Sequence, residues 1–198
     1  MNYLNAHILI RKIQTSQREV FLTFDDGPDS ELTPKILDIL ASHNALASFF
    51  VIGNKARNQK ALIQKIINQG HQVISHSKDH KYYHYFLGKN HLKNWVTESV
   101  EDLEDIIGKK SLGFRPPAGI VVPPFVTACT ELGIPVYLWN HRFFDTAKVF
   151  TQKKAQASAL KIQAGDIVLL HDHKNSIHTL DFYLKNLKNN NFKMSAIS

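Results

Sequence analysis

Short apolar runs alternate with amphipathic stretches along almost the whole chain. The runs fall near 20–24, 47–52, 72–75, 112–114, 134–139, 167–170 and 192–197, each of a length that suits a buried strand. Between them, apolar residues recur at helical spacing near 33–43, 59–69, 92–107, 124–132, 152–162 and 178–189. The punctuation agrees. Thr33 reads as an N-cap with Pro34 in the first helical position. Gly70 and Gly108 close the helices before them, and Asn189-Asn190-Asn191 breaks the chain ahead of the last strand. Strands alternating with helices predict a parallel sheet with helical crossovers. Seven such strands suit a closed or nearly closed barrel and equally an open doubly wound sheet. No repeat, low-complexity tract or interdomain linker interrupts the pattern. A length of 198 residues fits one domain spanning 1–198, with 1–19 as an N-terminal lead-in.

The residues able to do chemistry stand at the C-terminal ends of these runs. Val20, Phe21 and Leu22 lead into Thr23-Phe24-Asp25-Asp26-Gly27-Pro28, a strand closed by a sharp turn with two carboxylates at its end. Neighbours in an extended chain point to opposite faces, so one acid can bind a metal while the other stays free as a base. An ordinary Asp-Gly-Pro surface turn is the plainer alternative. The run Gln72-Val73-Ile74-Ser75 leads into His76-Ser77-Lys78-Asp79-His80. Two histidines four apart on a helical turn can chelate one ion. With eleven histidines such a spacing also arises by chance, and His80 with His84 is a second case. Position directly after a strand-like run favours His76 and His80.

Together and in order, these motifs resemble those of the polysaccharide deacetylases of the NodB-homology type, carbohydrate esterase family 4, from about Val20 to the C-terminus. The third motif is Arg115-Pro116-Pro117-Ala118-Gly119. The fourth, a loose one, is Trp139-Asn140-His141-Arg142-Phe143-Phe144-Asp145, and the fifth is Leu169-Leu170-His171. The resemblance implies an α/β fold, a single-domain distorted TIM-like (β/α) barrel of about seven parallel strands, with its site at the C-terminal strand ends. It implies a metal-dependent hydrolase that removes an N-acetyl group from an amino sugar in a glycan or glycolipid. Asp26, His76 and His80 then hold a divalent metal, Zn²⁺ first, with Co²⁺, Ni²⁺ or Mn²⁺ as alternatives. Asp25 is the general base and His171 the general acid. Arg115 pairs with Asp25. Asp145 orients His171 or braces Arg115, with Asp166 and Asp172 as rival partners of His171. The backbone N–H of Ala118 matches an oxyanion donor, and Leu169 is placed to touch the acyl methyl. Two departures stand out. Ala118 replaces a tyrosine common in the family, and Thr146 follows Asp145 where the family has tryptophan. A deformylase or amidase on a small non-polymeric substrate, and a catalytically inactive glycan-binding homologue, are the alternative functions.

Charge narrows the ligand. The 24 basic residues exceed the 17 acidic ones, for a net charge of +7. That balance favours anionic partners and hence a short, anionic or lipid-linked amino-sugar ligand; no motif for nucleic acid is present. Cys129 is the only cysteine, so no intrachain disulfide forms, and its apolar surroundings predict a buried, inert thiol. No apolar run reaches the length of a transmembrane segment. Ile8-Leu9-Ile10 followed by Arg11-Lys12 is too short for a signal-peptide core and has its charges on the wrong side. The expectation is a cytoplasmic protein, or an exported or membrane-associated one whose leader was removed before Met1. Ser77 is expected to steady the histidine turn, Lys78 and Asp79 to be solvated, and His71 and His84 to pack structurally. Tyr82, Tyr83 and Tyr85 lie in an insertion after the histidine pair, where they can stack on sugar rings or pin the insertion to the barrel.

Overall fold

Nine residues from Glu19 to Gly27 form the strand on which the molecule is built, and all but the first and eighth are buried. The structure, a computed structural model, describes residues 8–143, 145 and 151–198. Phe144 and Thr146 of the fourth motif, and the first seven residues of the lead-in, lie outside the described residues.

The first strand, β1 (Leu9–Ile10), precedes this central strand, β2 (Glu19–Gly27). β3 (Ser48–Val51) and β4 (Gln72–Ser75) follow, then β5 (Val136–Tyr137), β6 (His141–Arg142), β7 (Ile167–His171) and β8 (Lys193–Ser195). β2 pairs with β7 along one edge and with β8 and then β3 along the other. β3 pairs with β4, β6 with β7 and β1 with β5, and every one of these pairings is parallel. Phe114 bridges Ser75 to Val136, and Lys12 bridges Asp166 just before β7. Parallel pairing therefore runs from β7 through β2, β3 and β4 to Phe114, β5 and β1, and the isolated antiparallel bridge of Lys12 to Asp166 ties the far end to the segment before β7 in a distorted barrel.

Burial on both faces explains the nearly continuous apolar reading of the strands. Val20, Leu22 and Phe24 face the outer helices and join their core, while Phe21 faces the interior beside Phe50, Ile74, Tyr137 and Ile167. Period-two alternation then places Thr23 and Asp25 on the inner face with Phe21. The helices are α1 (Leu32–Ser42), α2 (Gly53–Asn58), α3 (Lys60–Asn68), α4 (Lys89–Ile107), α5 (Pro123–Leu132), α6 (Gln152–Ala159) and α7 (Lys174–Asn189). None of them is long and apolar enough to cross a membrane.

Four local expectations change. The strand expected over 112–114 contracts to the single bridging residue Phe114. There Gly113, at φ +155°, runs so close to Pro135 that a Cβ would lie 2.4 Å from its carbonyl oxygen. The two-residue strands β1 and β6 are too short to leave a periodic trace, and β1 falls inside the segment read as a lead-in. Thr33 is not the N-cap of α1. Asp29 Oδ1 accepts the N–H groups of Glu31 and Leu32, and the Thr33 hydroxyl accepts from Asp29 N–H. α7 starts four residues earlier than its apolar periodicity indicates, because His173 Nδ1 accepts from Asn175 N–H and caps the added turn.

Candidate active site

β2 loses its alternation at its last residues. Asp25 pairs with Phe50 and Gly27 with Val51, so Asp26 is the extra residue of a β-bulge. It sits at φ +71°, a conformation that aspartate tolerates better than most residues. The expectation that the two acids face opposite sides is corrected: the bulge turns both toward one cavity of about 250 Å³. They still differ in setting, since the Asp25 side chain is 5% exposed and that of Asp26 42%.

His76 and His80 face Asp26 across this cavity. They lie on a loop rather than a helical turn, with Ser77 at φ +67° and His80 at φ +57°. Ser77 Oγ accepts from His80 N–H at 2.9 Å and steadies the loop, as expected. Asp26 Oδ1 lies 3.5 Å from His76 Nε2 and 3.2 Å from His80 Nε2. One donor atom from each of the three residues falls within 4.8 Å of the others. His76 Nδ1 is 2.9 Å from the Arg115 carbonyl, which can only accept, so Nδ1 carries the hydrogen and, in the neutral ring, the Nε2 lone pair faces the cavity. Burial pushes the Asp26 carboxyl up, but when the neighbouring imidazoles are protonated the hydrogen bond from His76 Nε2–H and the charges of His76, His80 and His171 outweigh it and hold the group at about 2. Burial, with help from His76, pulls His80 below the usual imidazole range and favours its neutral form. An ionised carboxylate with two imidazoles fits a first-row divalent cation.

Arg115 is wholly buried beneath this set. Its Nη1 donates to Asp25 Oδ1 at 2.6 Å and Thr23 Oγ1 at 2.8 Å. Nε donates to the Tyr137 carbonyl and Nη2 to that of Leu138. The guanidinium also stands 3.6 Å over the Phe50 ring. Burial lowers its pKa, and the charge and hydrogen bond of Asp25 offset only part of that. With Oδ1 committed to the arginine, Asp25 Oδ2 is left toward the site, 3.7 Å from His76 Nε2.

His171 ends β7 on the far wall. Its Nδ1 is 2.9 Å from Asp145 Oδ1. Asp145 Oδ2 accepts from His171 N–H at 2.7 Å and from Ser176 Oγ at 2.5 Å. Burial pulls His171 down, but the hydrogen bond and charge of Asp145, then Asp25 and Asp26, leave it above the usual imidazole range. The rival carboxylates are engaged elsewhere. Asp166 binds Asn140 and Lys12. Asp172 takes the Thr33 hydroxyl and is pushed up to about 7 by burial.

Ala118, at φ +53°, and Leu169 line the cavity as expected. Sequence reasoning gave no role there to Trp139 or Arg142, which also line it together with Tyr82. The tip of the Trp139 ring approaches Gly119 so closely that a Cβ there would lie 2.5 Å from Cη2. It therefore supplies an aromatic wall beside Ala118, where the family's tyrosine is missing. The signal available was its place at the C-terminal end of the fifth expected strand. Tyr82 stands edge-on to His80, whereas Tyr83 stacks on His84 and Tyr85 packs against Trp95.

His84 packs structurally, as expected, between Tyr83 and Trp95. Asp79 is not solvated: its Oδ2 is 3.2 Å from His84 Nε2. Lys78 pairs with Asp102. His71 is buried, accepts from Ala47 N–H and is held at about 4 by burial. Burial pushes the Cys129 thiol up to about 12, which keeps it inert.

A distorted barrel of parallel strands thus carries an Asp-His-His set, an arginine-held aspartate and an aspartate-held histidine at its C-terminal mouth. The family described as polysaccharide deacetylase matches residues 12–137, and the chain belongs to it. It is 35% identical over 196 residues to the peptidoglycan-N-acetylglucosamine deacetylase PgdA of Listeria monocytogenes, a match covering 95% of this chain and 40% of that protein. It is 31% identical over 159 residues to a chitooligosaccharide deacetylase of Sinorhizobium fredii, covering 80% and 74% of the two chains. The solved structure of the Bc1960 peptidoglycan N-acetylglucosamine deacetylase matches with a TM-score of 0.88 at 26% identity, over 98% of this chain and 93% of the other. The chain thus spans well under half of the Listeria relative's length.

Proposed function

We propose that the protein is a metal-dependent N-deacetylase that hydrolyses the acetamide of an N-acetylated amino sugar in a glycan or glycolipid. One observation carries this reading: a free carboxylate oxygen, a three-residue metal-ligand set and a carboxylate-held imidazole all open on the same cavity. The named relatives, deacetylases of peptidoglycan N-acetylglucosamine and of chitooligosaccharide, support it.

Asp26, His76 and His80 would hold the divalent ion, with Zn²⁺ preferred. When bound, such an ion supplies Lewis acidity, polarising the amide carbonyl and making water more acidic. Arg115 fixes Oδ1 of Asp25, so Oδ2 receives the proton of the water that adds to the carbonyl carbon. His171, held by Asp145, gives a proton to the nitrogen as the C–N bond breaks, because an unprotonated amine leaves poorly. Acetate and a free amine result. The Ala118 N–H serves the developing oxyanion, Leu169 receives the acetyl methyl, and Trp139 and Tyr82 are the walls for the sugar ring. The net charge of +7 favours a short anionic substrate, such as a phosphate-linked or lipid-linked glycan.

The test is product analysis on N-acetylated and N-formylated amino sugars with the metal-loaded protein. Acetate and free amine in equal amounts support the reading. Formate alone makes the protein a deformylase. Bound metal with no product from any substrate leaves an inactive glycan-binding homologue.

A further inference from the structure

We infer that Arg142 forms an anion subsite in the cavity mouth, which takes an acidic substituent of the amino sugar beside the acetamide to be cleaved. This inference rests on the deacetylase reading and adds the substrate's chemical class.

The sheet register places the residue. Arg142 of β6 pairs with Leu169 of β7, and register partners on adjacent strands present their side chains on one face. Leu169 and His171 are two apart and share that face. All three line the cavity. Phe143, the next residue, goes the other way into the core against Tyr183.

Its charge is unspent. Arg115 is buried against Asp25, Lys55 Nζ donates to the Asp26 carbonyl at 2.7 Å, and Lys78 pairs with Asp102. Arg142 is exposed and has no carboxylate partner among the described residues. Its guanidinium stands 5.1 Å from the centre of the Trp139 ring, a cation–π contact that orients it without neutralising it. Trp139 also reaches toward Arg115, at 5.7 Å, so the indole spans the gap between the catalytic floor and Arg142. A sugar ring laid on that wall with its acetamide toward Asp25 carries a neighbouring substituent to the guanidinium.

The chemistry follows from the fork of donors, which matches a carboxylate or phosphate in two parallel hydrogen bonds. Asp25 is paired with Arg115 and Asp26 belongs to the proposed metal set, so Arg142 is the arginine of the cavity lining left for a substituent held away from the floor. A neutral N-acetylglucosamine oligomer gains nothing from Arg142.

The experiment compares three substrates of matched length: a neutral N-acetylglucosamine oligomer, one whose N-acetylhexosamine carries a lactyl ether carboxylate, and one carrying a phosphate ester. The ratio of kcat/KM for acidic over neutral substrate is measured for the wild-type protein, Arg142→Gln and Arg142→Lys, at low and high salt. The wild type is expected to favour one acidic substrate by about tenfold or more, the size of a charge-assisted hydrogen bond. Arg142→Gln is expected to lose that preference, mainly through KM, and Arg142→Lys to keep part of it. Which acidic arm collapses identifies the substituent, and high salt narrows the ratio. Calorimetry on metal-loaded Asp25→Asn protein, with and without Arg142→Gln, reads the same preference without turnover. No acidic preference in the wild type, or an equal one after Arg142→Gln, overturns the subsite. Absence of product from every substrate with the affinity preference intact rejects the deacetylase reading and leaves the subsite standing.

Discussion

Asp25 and Asp26 are neighbours in the chain, yet both turn a carboxylate oxygen toward one imidazole nitrogen. Asp25 Oδ2 lies 3.7 Å and Asp26 Oδ1 3.5 Å from His76 Nε2. A regular strand forbids this, since adjacent side chains leave opposite faces. The bulge at Asp26 removes the prohibition and sets the proposed base and the proposed metal ligand side by side with no intervening residue. What separates their roles is the third dimension: Arg115 reaches Asp25 from below, while His80 reaches only Asp26.

Replacing the two acids is therefore expected to give different defects. Asp26→Ala removes one of three ligands and loses the metal. Asp25→Asn keeps the metal, but an amide cannot take the water's proton, and turnover falls by about 10²- to 10⁴-fold. Elemental analysis beside acetate release checks both. Metal retained by Asp26→Ala, or near-normal turnover by Asp25→Asn, contradicts the assignment.

The pair of His171 and Asp145 sets a pH limit. With His171 as the proposed acid, activity should be lost as pH rises through its folded pKa, which Asp145 holds above the usual 6.5. Asp145→Asn removes the charge and turns an amide N–H₂ toward groups that need an acceptor. The descending limb of the rate profile is expected to move to lower pH and the maximum rate to fall. An NMR titration of the His171 imidazole gives the pKa directly. An unmoved pKa in the variant would show that Asp145 does not set it.

Most of the site was legible because its residues adjoin strong local signals. Asp25, Asp26 and His171 follow apolar runs, and Arg115 precedes two prolines. Long-range choices were not legible. The bulge depends on how β2 registers against β3, a pairing no local pattern near Asp26 records. Three carboxylates competed for His171, and Asp145 prevails because the close of β6 carries it to the start of α7, where Ser176 also binds it. Trp139 and Arg142 lie in a motif too loose to assign, and their orientation depends on pairing with β7. Phe114 makes only two isolated bridges, to Ser75 and Val136, so the expected strand shrinks to one residue. Asp79 reads as a surface acid until α4 brings His91 and Trp95 to the far side of His84.

Gly27 is expected to resist any side chain. A Cβ there would lie 2.6 Å from Asp172 Oδ2, and that carboxyl is held by Thr33 and cannot swing aside freely. Gly27→Ala should destabilise by about 1–3 kcal/mol, the cost of overpacking. Asp172→Ala opens the space, so the alanine at 27 should cost clearly less in that background. A double-mutant cycle in urea measures the coupling. Strict additivity would place the strain elsewhere.

His84→Ala is expected to keep the metal and lose stability. The ring is 7% exposed and lies 4.2 Å from the Tyr83 ring and 4.6 Å from that of Trp95, centre to centre. Its nitrogens join Asp79 to His91, so it fastens the turn after the metal-ligand loop onto α4. Truncation leaves a void and strips Asp79 of its partner, at a cost of about 2–3 kcal/mol. For a chain of this size that corresponds to a fall in Tm of about 4–12 °C. The three proposed ligand atoms belong to Asp26, His76 and His80, so metal content at saturation should stay at one per chain. His84→Phe should recover part of the lost Tm by refilling the stack, but not the bond to Asp79. Loss of the metal in His84→Ala, with Tm in the apo form unchanged, would make His84 a ligand rather than a packing residue.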